Sequence, residues 1–168
     1  ESVDRQLKVA GLADVPVVIL HLTCEASLRE VEAARARGQT VYVETCPHYL
    51  LLDAHLYDLP DFEGAKYVCA PPLRKPRDND VLWRALADRE IQTVSTDHCS
   101  FTLTQKAFGR EDFTKIPGGM PGVETRGVLL YTYGVKAGRI TAERMAEVLS
   151  KAPAKLYGCY PRKGHIAE

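Results

Sequence analysis

Residues 17–22, immediately after Pro16, form an apolar run of Val17, Val18, Ile19, Leu20 and Leu22 into which a single polar side chain, His21, is set. A β-branched run with no polar alternation offers no face to water, so it reads as a strand covered on both sides, as in a parallel sheet. Ser27 with Glu30 three residues on reads as a capping box that opens the covering helix. Leu28, Val31 and Ala34 recur on one face of that helix, and Gly38 stands where it should stop. Residues 41–45 read as a second strand. Residues 67–70 form a third short apolar segment, closed by Pro71 and Pro72, which lack the N–H that a ladder needs. Asp78 or Asn79 can cap a helix carrying Leu82, Trp83 and Leu86, and residues 91–95 read as a fourth strand. From 101 to 122 the chain is rich in Gly, Pro and charge, which predicts a long loop with one helical turn near 104–108; loops of that length usually have a function. Residues 124–135 and 141–151 then read as helices, the second capped by Thr141 and buried through Met145, Val148 and Leu149. No internal repeat is visible.

Strands alternating with helices at this spacing imply right-handed β-α-β units and an α/β fold on a parallel sheet. Element order alone leaves open whether the sheet is open or closed into a barrel. At 168 residues, 45% hydrophobic and 26% charged, the chain is long enough for one sizeable core. Lys plus Arg and Asp plus Glu each total 22, so the formal net charge is zero and no global field favours nucleic acid or an acidic membrane. The five cysteines, Cys24, Cys46, Cys69, Cys99 and Cys159, are scattered and never in C-x-x-C spacing. That argues against a disulfide framework and against a structural zinc knot, and a reducing cytoplasm is the compartment that fits. No apolar stretch approaches the roughly 18 residues needed to span a bilayer.

His21 and Asp97 each fall where an apolar strand runs out, the edge at which parallel α/β folds place their chemistry. Taken singly, His21 can be a core histidine bonded to backbone, and Asp97 a turn or N-cap carboxylate. A buried imidazole and a buried carboxylate at one sheet edge are costly to desolvate, and a shared metal ion satisfies both. Two ligands are too few for a catalytic zinc, which takes about three plus an open position. His98, next to Asp97, points to the opposite face if the strand continues and reads as a supporting residue. His48 lies just past a strand end, in an expected loop, and could touch the site.

Six blocks in order along the chain resemble the dihydropyrimidinase and D-hydantoinase branch of the cyclic amidohydrolases. They are Val18-Ile19-Leu20-His21-Leu22-Thr23, Glu44-Thr45-Cys46-Pro47-His48-Tyr49-Leu50, Ala70-Pro71-Pro72-Leu73-Arg74, Thr96-Asp97-His98-Cys99, residues 116–124 (Ile-Pro-Gly-Gly-Met-Pro-Gly-Val-Glu), and Tyr160-Pro161-Arg162-Lys163-Gly164. The resemblance implies the C-terminal part of a (β/α)8 TIM-type barrel whose two divalent metals, typically zinc, lie at the strand ends. By position, His21 matches the last metal-binding histidine, and Asp97 matches the aspartate that binds metal and shuttles the proton. The other family ligands, a His-x-His pair, a carboxylated lysine and a further histidine, precede the matched region and are absent from this chain. The segment at Cys69 and Ala70 resembles the strand that meets the substrate amide through backbone groups, Ala70 standing where serine is common. Gly118 stands where many relatives carry an asparagine facing the ring.

The implied activity is hydrolytic opening of a cyclic amide, a hydantoin or dihydropyrimidine, to an N-carbamoyl amino acid. The alternatives are allantoinase or dihydroorotase activity, or a non-catalytic scaffold like the collapsin response mediators. Partners would be the small-molecule ring and, by family resemblance, further copies in a tetramer. The chain opens on Glu1, and residues 163–168 read as the start of a further strand or turn. The expectation is therefore a partial barrel over residues 1–168, inactive when isolated.

Overall fold

The computed structural model describes residues 1–166. Helix α1 (Ser2–Leu12) leads into strand β1 (Val17–Ile19), helix α2 (Glu25–Ala36) and strand β2 (Val41–Thr45). Helix α3 (Pro47–Leu51) and two 3-10 turns, Ala54–Asp58 and Glu63–Tyr67, separate β2 from helix α4 (Pro76–Ala87) and strand β3 (Thr93–Val94). Then follow α5 (Leu103–Lys106), α6 (Arg126–Leu130), α7 (Ala142–Ala146) and α8 (Ala152–Leu156). The strands form a parallel sheet in the order β1-β2-β3, with Val17 opposite Val41 and Thr45 opposite Val94. Among the described residues no helix is long and apolar enough to cross a membrane.

The core lies where the helices close over this sheet. Val31 and Ala34 of α2, Leu82 and Leu86 of α4, Leu130 of α6 and Val148 near the C-terminus are fully buried with Val43 and Ile91. Each such Val, Leu or Ile side chain contributes about 1.5–3 kcal/mol by leaving water. The expected apolar face of α2 is therefore borne out, as is its stop at Gly38 in the left-handed region (φ +88°). Thr141 also caps its helix as expected, its side chain accepting from Arg144 N. Both C-terminal helices continue as π-helix, through Tyr131–Val135 and Glu147–Lys151, which a 3.6-residue period does not reveal.

Several expectations change. Strand β1 ends at Ile19, although Leu22 N still reaches Glu44 O at 2.8 Å. Residues 91–95 supply only a two-residue strand. Ser27 is the third residue of α2 and its hydroxyl meets Cys24 Sγ at 3.3 Å; no capping box with Glu30 forms. The helix starts earlier because Asp78, 53 residues away, accepts from Glu25 N at 2.9 Å. Asp78 also accepts from Lys75 N at 3.1 Å, so it caps α4 from inside the first turn, with Lys75 at the N-cap position. Asn79 instead donates to Tyr49 O and Leu52 O. Residues 68–70 make no strand, because Val68 O is taken by Lys106 Nζ and Gly119 N. The expected loop at 101–122 carries α5, capped by Thr102, and two 3-10 turns. Residues 161–165 are turns and bends, and the last two positions of the strand or turn expected at 163–168 lie outside the described residues.

Candidate active site

Each of the three parallel strands leads, at its C-terminal end, to one side chain able to bind metal or move a proton. His21 follows β1, His48 lies in the first turn of α3 just after β2, and Asp97 follows β3. His21 and Asp97 share an unusual backbone state, with φ of 39° and 44°. A non-glycine residue there costs of order 1–3 kcal/mol unless its surroundings over-determine it. Here they do. Past His21, Leu22 N bonds Glu44 O, Thr45 Oγ1 donates to Leu22 O at 2.8 Å, and Arg74 Nε donates to Thr23 Oγ1 at 3.1 Å. Around Asp97, Ser95 N bonds Thr45 O at 3.0 Å and Cys99 N bonds Met120 O at 3.1 Å. Both side chains are thus turned by backbone that is tied on either side.

His48 sits within the field of the other two. Burial pushes its imidazole down to about 4, with Asp97 pulling it back up and His21 pushing it further down. It is neutral near pH 7, and it lies on a helix rather than in the loop expected for it. The expected burial of both strand-end groups is corrected: His21 is half-buried and Asp97 is exposed. The physical reason is that β1 and β3 are the two edges of this sheet, so each has a neighbouring strand on one side only. His98 acts as a support: its Nδ1 accepts from Gly122 N and Val123 N at 3.1 and 3.2 Å, pinning the following loop.

The donor chemistry of His21 and Asp97, one imidazole and one carboxylate, suits a divalent cation such as zinc. The count does not suffice. Among the described residues no group of three His, Cys, Asp or Glu side chains could hold a metal ion. These residues therefore fit as part of a metal site that needs donors from outside the chain.

The second set of candidates also converges. A Cβ placed on Gly118 would lie 3.7 Å from Ala70 N and 3.8 Å from Cys69 C, so positions some fifty residues apart share one patch of backbone. Burial pushes the Cys46 thiol up to about 12 and raises that of Cys69 as well, which favours the protonated thiol in both. Cys46 Sγ lies 3.5 Å from Ser95 Oγ, two residues before Asp97. Tyr49, buried alongside, donates to Pro71 O at 2.7 Å and holds the turn after Ala70. A cleft of about 900 Å3 runs past His48, lined by Pro47, Leu51, Tyr67, Phe101, Met120 and Tyr133. Of the candidate residues it is lined by His48 and touches none of His21, Asp97, Cys69, Ala70 and Gly118. Sequence reasoning missed one residue, Lys106, which is only 4% exposed. A lysine in a charged, glycine-rich stretch carries no local signal that it will be buried.

No family model matches the chain. Over 168 residues it is 47% identical to the D-hydantoinase of Ralstonia pickettii, covering 99% of this chain and 36% of that protein. It is 44% identical to the D-hydantoinase of Geobacillus stearothermophilus over the same shares. The crystal structure of the dihydropyrimidinase from Brevibacillus agri superposes on 98% of the chain with a TM-score of 0.96 at 45% identity. By sequence and by fold, this chain belongs with the D-hydantoinases and dihydropyrimidinases. It spans 36% of the length of these hydantoinase and dihydropyrimidinase relatives, and their three parallel strands and flanking helices are the part it shares.

Proposed function

We propose that the complete protein carrying this chain opens a hydantoin or dihydropyrimidine ring by hydrolysis, giving the N-carbamoyl amino acid. In this reading the chain is the C-terminal part of a (β/α)8 barrel. One observation carries it: three neighbouring parallel strands lead at the same edge to His21, His48 and Asp97, two of them held in strained backbone. Asp14, Asp61, Phe62 and Arg89 share that backbone state in ordinary turns, so what sets His21 and Asp97 apart is its placement at the C-terminal ends of parallel strands, the edge where such folds put their chemistry.

His21 and Asp97 would hold part of a divalent metal centre, two zinc ions in the complete protein, with a carboxylated lysine and further histidines supplied from outside this chain. When bound, such ions polarise a carbonyl oxygen and lower the pKa of water. The remaining work falls to the chain's own groups. Asp97 takes up the proton released as the oxygen of water bonds to the ring carbonyl carbon. It returns that proton to the amide nitrogen as the C–N bond breaks, so one water is added across that bond: its hydroxyl completes a carboxylic acid, which then ionises to solvent, and its proton completes the carbamoyl nitrogen. Backbone groups at Cys69 and Ala70 pair with the ring amide, a task for which alanine serves as well as serine. Gly118 would present backbone rather than a side chain to the ring, beside Ala70.

The test is a rate comparison on hydantoin, 5,6-dihydrouracil, allantoin and dihydroorotate with the full-length, zinc-supplemented protein. Turnover of the first two is expected. Preference for allantoin would overturn the ring assignment, and a metal-free protein inert on all four after zinc addition would leave the scaffold reading.

A further inference from the structure

Lys106, at the end of α5, is almost completely enclosed, yet its ammonium has no carboxylate partner among the described residues. It donates to three main-chain carbonyls instead: Val68 O at 2.8 Å, Pro117 O at 2.7 Å and Gly119 O at 3.0 Å. Lysine carries three donors and no acceptor, so this cage uses its whole hydrogen-bonding capacity. The Phe101 ring covers it, 5.5 Å from Nζ to the ring centre. The carbonyls come from two segments far apart in sequence. One runs through Val68 to Cys69 and Ala70, and the other through Pro117, Gly118 and Gly119. Gly119 N also bonds Val68 O at 3.0 Å, and a Cβ on Gly119 would stand 2.5 Å from Cys99 O. The segment after Asp97 is thereby locked onto the same junction. Three carbonyl dipoles aimed at one buried point repel one another unless a cation lies there.

We propose that Lys106 is a positioning residue for substrate: it fixes the spacing between the backbone at 68–70 and the backbone at 117–119, and so sets how tightly the ring is held. The inference rests on the cyclic-amide reading, in which Cys69, Ala70 and Gly118 meet the ring. All three Lys106 acceptors lie in the two substrate segments, and the segment after Asp97 keeps its own bond from Cys99 N to Met120 O, so loss of Lys106 acts on binding.

The experiment is steady-state kinetics of the full-length protein on hydantoin and 5,6-dihydrouracil, comparing wild type, Lys106→Met and Lys106→Gln. Methionine keeps the unbranched stem and removes every N–H; glutamine restores two donors. The expected result is a KM at least tenfold higher in Lys106→Met with kcat within threefold, a smaller KM rise in Lys106→Gln, and faster amide exchange at Gly119 in both. A merely destabilised protein loses active fraction, which lowers kcat and leaves KM in place. A folded Lys106→Met with wild-type KM, or one whose kcat falls while KM holds, overturns the proposal. Should Lys106→Met not fold, Lys106→Gln decides by the same criterion. A wild-type protein inert on both rings takes down the cyclic-amide reading and this inference with it, whereas an active wild type with an unaltered KM in the variants takes down only the role of Lys106.

Discussion

At the scale of single residues, the separation between folding and chemistry is sharpest at Asp97. Its side chain is exposed and makes no hydrogen bond among the described residues, so the fold does not draw on its charge. Asparagine tolerates the left-handed region as aspartate does, which makes Asp97→Asn the clean probe. In the full-length protein this change is expected to lower turnover by on the order of 10²–10⁴ while the protein still folds; an unchanged rate removes the proton-shuttle role. Neighbouring glycines offer a second contrast. At Gly118 an added Cβ meets nothing closer than 3.7 Å, so Gly118→Ala should alter stability by less than about 1 kcal/mol. At Gly119 the same atom would stand 2.5 Å from the Cys99 backbone carbonyl and 2.8 Å from Cys99 Cβ, neither of which can swing away. Gly119→Ala should therefore cost roughly 3 kcal/mol or more, and urea titration of the two variants distinguishes them.

At the scale of elements, Asp78 shows how one side chain can set the start of two helices. Its two oxygens accept separately from Glu25 N at the head of α2 and from Lys75 N at the head of α4. Removing a cap costs about 0.5–2 kcal/mol. Asp78→Ala withdraws two at once from a buried position and should destabilise the chain by roughly 1–4 kcal/mol on that count, read from the midpoint of urea unfolding. A loss below half a kilocalorie would mean that water replaces both bonds. The end of α2 at Gly38 and the cap of α7 at Thr141 were legible in the sequence, because each rests on the residue itself and its next turn. The start of α2 was not, since the group that decides it arrives from another helix. Strand lengths were overestimated for a related reason: Leu20 and Leu22 keep the composition of a strand but His21 turns the backbone out of the ladder, and in the strand expected at 91–95 the Gln92 side chain takes Val43 N, leaving only Thr93 and Val94 as strand.

At the scale of the whole molecule, the sheet has two open edges, β1 and β3, and the candidate ligands stand on those edges. The 168-residue chain by itself is accordingly expected to turn over neither hydantoin nor 5,6-dihydrouracil and to retain little zinc on dialysis, whereas the proposed function expects turnover and zinc retention from the full-length protein. Measurable turnover by the chain alone would mean that His21, His48 and Asp97 assemble a working centre without further donors. What the sequence determined by itself was the alternation of β1, α2, β2, α4 and β3, the buried faces of α2 and α4, the parallel sheet, and the family through its ordered blocks; α1, α3 and the absence of a strand at 67–70 were not foreseen. Those features depend on side-chain periodicity and on contacts within a turn or two, which are written locally. Only the tertiary structure decided that His48 joins His21 and Asp97, that Gly118 meets Ala70, that Asp78 serves two helices, and that Lys106 is buried among three carbonyls. Each of these is a meeting of groups far apart along the chain, and a linear pattern does not encode which distant polar atoms will satisfy one another until the backbone has closed around them.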